Sequence, residues 1–168
     1  MVIAIAGGSA SGKTSLAKRL AKKLGANLIS LDSFFKDPST FPLIYDPPNY
    51  DRLAAIDFNK AIKAIEQQPK NKDLVIEGFL VLANQKLRDL INVSFFIDSD
   101  PDVLISRRLA REPTTNPDYI IKNVGDQYQK LVLPTKRHAD FTLDGSQPTR
   151  HLLTSTLSYL NQRWQYLV

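Results

Sequence analysis

Gly7-Gly8-Ser9-Ala10-Ser11-Gly12-Lys13-Thr14 decides the fold of this chain. The stretch fits G-x-x-x-x-G-K-[ST] without a mismatch. It follows the apolar run Val2–Ala6 and precedes the helical pattern Lys13–Leu24, which puts Leu16, Leu20 and Leu24 on one stripe. Strand, glycine loop and helix in that order make a phosphate cradle. Gly7, Gly8 and Gly12 are expected to take backbone angles that side chains forbid. The N–H groups from Gly7 through Ser9, Ala10 and Ser11 to Ser15 can then converge on phosphate oxygens. The start of the helix adds the positive end of its dipole. Lys13 is expected to neutralise the β- and γ-phosphates, and Thr14 to place its hydroxyl on Mg²⁺. Read as structure alone, the stretch is a tight strand-to-helix turn. Its flanks, and the presence of three of the chain's seven glycines, favour the cradle.

Outward from the cradle, short apolar runs alternate with helical patterns. The expected strands are Val2–Ala6, Asn27–Leu31, Asp73–Ile76, Val93–Ile97 and Asp140–Leu143. Such runs suit strands buried on both faces. Helices are expected over Lys13–Leu24, Leu53–Gln67, Pro101–Arg111, Tyr119–Lys130 and Thr149–Trp164. Asp100 before Pro101 is a good N-cap. The alternation predicts an α/β fold of P-loop type, a parallel sheet flanked by helices with right-handed crossovers. Residues 37–50 hold four of the ten prolines and read as a loop, as do residues 112–118.

The bulk properties agree with this. A chain of 168 residues suits a single domain, 1–168. No cysteine is present, so disulfides, thiolate metal sites and a cysteine nucleophile are excluded. Val2–Ala6 is too short for a signal-peptide core, and no stretch approaches a membrane span. A cytoplasmic protein without membrane partners is expected. The net charge of +5 is spread among acidic residues, with no basic run, and suits a site for polyanionic nucleotides better than a nucleic-acid surface.

Several P-loop subclasses do not fit. Asn71-Lys72-Asp73 puts the aspartate of a guanine-reading N-K-x-D one place early. A motor or AAA-type ATPase would be larger, with a strand ending in Asp-Glu. A small-molecule kinase needs a base, a metal-side carboxylate and lid arginines. Asp32, after the second strand, can take the proton of an attacking hydroxyl; the plainer reading is a cap on a short turn. Glu77, after Leu74–Ile76, is a strand-end acid able to orient a metal-bound water or a substrate hydroxyl; the plainer reading is a satisfied carboxylate. Arg107, Arg108 and Arg111 lie on one helix, where 107 and 111 share a face and 108 and 111 are neighbours. Planar guanidinium groups suit a transferring phosphoryl group; the plainer reading of any one of them is a solvated helix face. His138, His151 and Trp164 read as structural.

These motifs, with I-S-L-D-S-F-F-K-D at 29–37 and V-I-E-G-F-L-V-L at 75–82, resemble the uridine kinase family and its nicotinamide riboside kinase relatives. Asn49-Tyr50-Asp51, Asp98-Ser99-Asp100, Ser106-Arg107-Arg108, Gln127-Tyr128 and Leu133-Pro134-Thr135-Lys136 follow in the family's order. The resemblance spans nearly the whole chain. It implies a five-stranded parallel sheet and a short arginine-bearing lid over about 107–126. It implies ATP or GTP as donor, Mg²⁺, and a ribonucleoside 5′-hydroxyl as acceptor. Asp32 is then the base, Asp51 holds the ribose hydroxyls with Tyr50 beside the base or ring, Glu77 lies near metal and substrate, and Gln127 makes a polar contact by the lid.

The chain also departs from the resemblance. Uridine kinases usually insert a base-reading hairpin where this chain has only Gln68–Lys72. Nicotinamide riboside kinases usually carry a second aromatic near the lid, for which Tyr119 is the nearest candidate. A kinase for another small hydroxyl compound, or a non-catalytic nucleotide-binding module, stands as the alternative. Self-association is left open.

Overall fold

The computed structural model describes residues 1–37, 39 and 53–164. Tyr50 and Asp51 lie outside the described residues. Five strands form one sheet: β1 (Val2–Gly7), β2 (Asn27–Ser30), β3 (Leu74–Glu77), β4 (Val93–Asp98) and β5 (Phe141–Asp144), in the order β2-β3-β1-β4-β5. All pairings are parallel. Ile3 sits beside Val75 on one side and Val93 on the other, so β1 is the central strand. The sheet predicted from the apolar runs is the sheet found.

Strand alternation divides the core into two layers. Ile3, Ile5, Val75, Phe95 and Ile97 face Leu16 and Leu20 of α1 (Lys13–Leu24) and Leu152 and Leu160 of the C-terminal helix (Thr149–Trp164). Ala4, Ala6, Ile76 and Phe96 face the other way, toward α2 (Phe58–Glu66) and the segments that carry Leu104 and Tyr128. Residues 3–6 are wholly buried, which is why β1 reads as a continuous apolar run. No helix among the described residues is long and apolar enough to cross a membrane.

Boundaries follow local chemistry. α1 stops at Gly25, whose left-handed backbone (φ 62) lets its N–H reach the last carbonyls. α4 (Pro101–Arg111) starts where Asp100 accepts from the Asp102 N–H. The helix predicted from Leu53 begins only at Phe58. Asp57 caps it by accepting from the Lys60 N–H, and Leu53–Ala55 is a separate 3₁₀ turn. The expected helix Tyr119–Lys130 is a run of alternating α and π turns, Pro117–Tyr119, Ile120–Val124, Gly125–Gln127 and Tyr128–Val132. It continues into a 3₁₀ stretch, Leu133–His138, that the sequence reading did not foresee. A short helix, α3 (Gln85–Arg88), was also not foreseen; Asn84 caps it by accepting from the Leu87 N–H.

Candidate active site

The cradle leaves the carboxyl end of the central strand, so it opens into the crevice where parallel sheets hold their ligands. Gly12 has φ 92, an angle costly for any residue with a Cβ. The expectation that Gly8 also needs such an angle is corrected: its φ is not positive. Gly8 is required for space, because a Cβ there would stand 2.4 Å from Leu104 Cδ1 and 2.9 Å from Tyr128 Cδ2. Ala10, by contrast, does take a left-handed angle (φ 62). This places strain in the loop of the kind that functional loops store. The Ser11 hydroxyl is buried without a hydrogen-bond partner among the described residues. Lys13 Nζ, nearly buried, donates to the Gly8 carbonyl at 3.2 Å and so lies folded back over the loop.

The strand-end acid joins the cradle directly. Glu77 is 1% exposed. It accepts from Thr14 Oγ1 at 3.2 Å through Oε2 and from Ser30 Oγ at 2.7 Å through Oε1. Parallel register puts Ser30 level with Glu77, so the ends of β2 and β3 meet at this carboxylate.

One cavity of about 340 Å³ gathers the rest. Ser9, Lys13 and Thr14 line it from the cradle, Asp32, Phe35 and Phe79 from the β2 and β3 ends, and Arg108, Arg111 and Glu112 from α4. Asp32 sits within the 3₁₀ turn Leu31–Phe34, and its side chain is exposed to this space. The Phe35 and Phe79 rings lie 6.4 Å apart at 33° and form an aromatic wall.

The three arginines part company. Arg111 Nη2 donates to Ser9 Oγ at 3.5 Å, at the rim of the cradle. Arg108 lies under it, 6.0 Å from the Tyr119 ring centroid. Arg107 lies outside the cavity; its Nη1 donates to the Gly145 carbonyl at 3.5 Å. Gln127 is half-buried on its turn and is not part of the cavity lining. Tyr119 is only 2% exposed and packs with Ile120, Ile105 and Leu109. It supports Arg108 from below and presents no ring face to the cavity.

Sequence reasoning missed Glu112. Its Oε2 accepts from Arg108 Nε at 3.2 Å, and its Oε1 accepts from Arg111 Nη2 at 2.6 Å and Nε at 3.2 Å. Burial alone would raise this carboxyl; the hydrogen bond from Arg111 and the charge of Arg108 outweigh that and hold it below its ordinary value. The i,i+4 spacing from Arg108 was the available signal. Tyr128 was read only as part of a motif. Its hydroxyl donates to the Ser99 carbonyl at 3.3 Å while its ring walls Gly8. Burial and the neighbouring Asp98 charge push its pKa to about 12.

Set beside known proteins, residues 3–127 match the family described as AAA domain. A short chain whose β3 ends at Glu77, with Gly78 next in sequence, falls within that family. The chain is similar to a uridine kinase of Chlamydia pneumoniae, 29% identical, over 94% of this chain and 87% of the relative. A uridine kinase of Lactiplantibacillus plantarum is 33% identical over 83% of this chain and 84% of its own. The shikimate kinase of Acinetobacter baumannii has the same fold, with TM-score 0.68 at 15% identity, over 97% of this chain and 94% of that one. The Chlamydia alignment runs over 194 positions against 168 residues here, so that relative carries segments this chain lacks.

Proposed function

The chain belongs to the AAA domain family of P-loop proteins and to the uridine kinase family, and on that premise we propose that it transfers the γ-phosphoryl group of ATP to the 5′-hydroxyl of a ribonucleoside. The observation that carries this reading is the single cavity in which cradle residues, a strand-end aspartate and two arginines converge. A cytoplasmic site of action belongs to the same proposal.

In this reading the loop N–H groups and Lys13 hold the β- and γ-phosphates. The residues also suit Mg²⁺. Thr14 and Glu77 would hold it through a hydroxyl and a carboxylate, the hard oxygen donors this ion prefers. When bound, the ion neutralises charge on the phosphates. Asp32 accepts the proton of the acceptor hydroxyl as that oxygen bonds to Pγ and the bond from Pγ to the β-phosphate oxygen breaks, releasing ADP. Arg108 and Arg111 meet the charge that spreads over the equatorial oxygens. Asp51 and Tyr50 are proposed to hold the ribose.

The base is read differently from a hairpin-bearing relative. Residues 68–72 form a tight turn, closed by the Lys72 N–H on the Pro69 carbonyl at 3.2 Å. Phe35 and Phe79 then offer the apolar surface against which a planar base can lie. The test is ADP release from Mg²⁺-ATP in the presence of uridine, cytidine, nicotinamide riboside or simple sugars. A nucleoside-dependent rise is expected. A rate that no acceptor lifts above basal ATPase, or that only a sugar lifts, refutes the proposal.

A further inference from the structure

Glu112 occupies an electrostatically poor position. It is the C-cap of α4, where the helix dipole presents its negative end. A carboxylate there is held in place by cations, and two guanidinium groups hold this one. Both belong to the arginines that line the cavity described above. Each of its oxygens is committed, Oε2 to Arg108 and Oε1 twice to Arg111. The arrangement is the one a phosphoryl oxygen pair would make with the same two arginines.

We propose that Glu112 is a positioning residue that keeps Arg108 and Arg111 paired to itself in the ground state, so that they engage the terminal phosphate chiefly as charge develops during transfer. The inference rests on the kinase reading above. Its consequence is differential binding: the arginines exchange carboxylate for phosphoryl oxygens, and their full attraction is realised in the transition state and not spent on bound ATP. Arg111, already 3.5 Å from Ser9 Oγ, needs only a short swing to make that exchange. Arg108 is fixed by the Tyr119 ring beneath it, so the pair moves from a preset position. Holding the arginines back also limits transfer of the γ-phosphoryl group to water when no acceptor is present. In that side reaction a water oxygen bonds to Pγ, its proton passes to Asp32, and ADP leaves.

The experiment compares wild-type protein with Glu112→Gln, which keeps shape and removes charge, and Glu112→Asp, which keeps charge. ATP affinity without acceptor is measured by calorimetry, and acceptor-free hydrolysis is measured against acceptor-dependent transfer. Glu112→Gln is expected to bind ATP on the order of tenfold more tightly, the scale of one charge-assisted contact. Its hydrolysis-to-transfer ratio is expected to rise by a similar factor, while Glu112→Asp stays near wild type on both readouts. Unchanged or weaker ATP binding in a folded Glu112→Gln, or an unchanged ratio, overturns the proposal and leaves the kinase reading standing. Wild-type protein that binds no ATP overturns both.

Discussion

The donor half and the acceptor half of the cavity are built in different ways. The donor half is one continuous strand, loop and helix, residues 2–24, finished by a single distant carboxylate, Glu77. The acceptor half is assembled from pieces far apart in sequence: Asp32 and Phe35 after β2, Phe79 after β3, and Arg108 and Arg111 on α4. A local unit can be recognised from eight residues, because its geometry is fixed by the backbone that carries it. A convergent unit depends on how loops of given length meet, and not every loop takes part: the turn 68–72 lies beside Asn27 at the amino ends of β2 and β3 and lines none of the cavity.

The sharpest way to break the comparison is to remove charge from each half. Asp32→Asn is expected to cut kcat by about 10²–10⁴ with ATP affinity nearly intact, the range lost with a general base. Lys13→Ala is expected to lose ATP binding and turnover together. If Asp32→Asn turns over normally, the acceptor half has no base at this position.

Gly8→Ala tests whether the donor half is as self-contained as its sequence suggests. The new Cβ would meet Leu104 and Tyr128, both outside the motif. Stability should fall by about 1–3 kcal/mol, as for overpacking, and ATP affinity should drop with it. Thermal unfolding and calorimetry measure the two. Full stability in Gly8→Ala would show that the wall yields without cost.

Phe79→Leu probes the acceptor half alone. The expected change is a several-fold rise in acceptor KM, the scale of about 1 kcal/mol lost from one aromatic contact, with the ATP KM unmoved. Steady-state kinetics with each substrate varied in turn separates the two.

The last expected effect is confined to high pH and concerns Tyr128. Its pKa is raised in the fold to about 12, so its contribution is complete below the ordinary tyrosine value and is lost as pH rises through the folded one. The wild type should therefore lose stability between about pH 10 and pH 12 relative to Tyr128→Phe, as alkaline unfolding midpoints would record.

Much of this was legible in the sequence. β1, α1 and α4 were readable because each carries a strong local signal: an apolar run, a leucine stripe after the glycine loop, or a capping aspartate before proline. Asp32, Glu77, Arg108 and Arg111 were readable because strand ends and helix spacing place them without further information. Other features were decided by tertiary contact. Gly8 is a glycine because of a leucine and a tyrosine on remote segments. The run 117–132 has a helical pattern, but no sequence rule separates its π turns from its α turns. Tyr119 is aromatic and near the lid, yet its burial beneath Arg108 depends on how that run packs on α4. Asn84 before α3 was a signal present and unread.

The wall behind Gly8 also has a consequence for the order in which the molecule comes together. β1 is made first, but its neighbours β3 and β4 come from much later in the chain, and Tyr128 later still. Parallel pairings of this separation close slowly, because the intervening chain must lose its freedom before any contact forms. During synthesis the cradle sequence leaves the ribosome before the segment around Tyr128, and it lacks its backing until that segment has followed. Nucleotide affinity is therefore a late property of the folding chain, and nucleotide added during refolding is expected to stabilise the finished domain without speeding its formation.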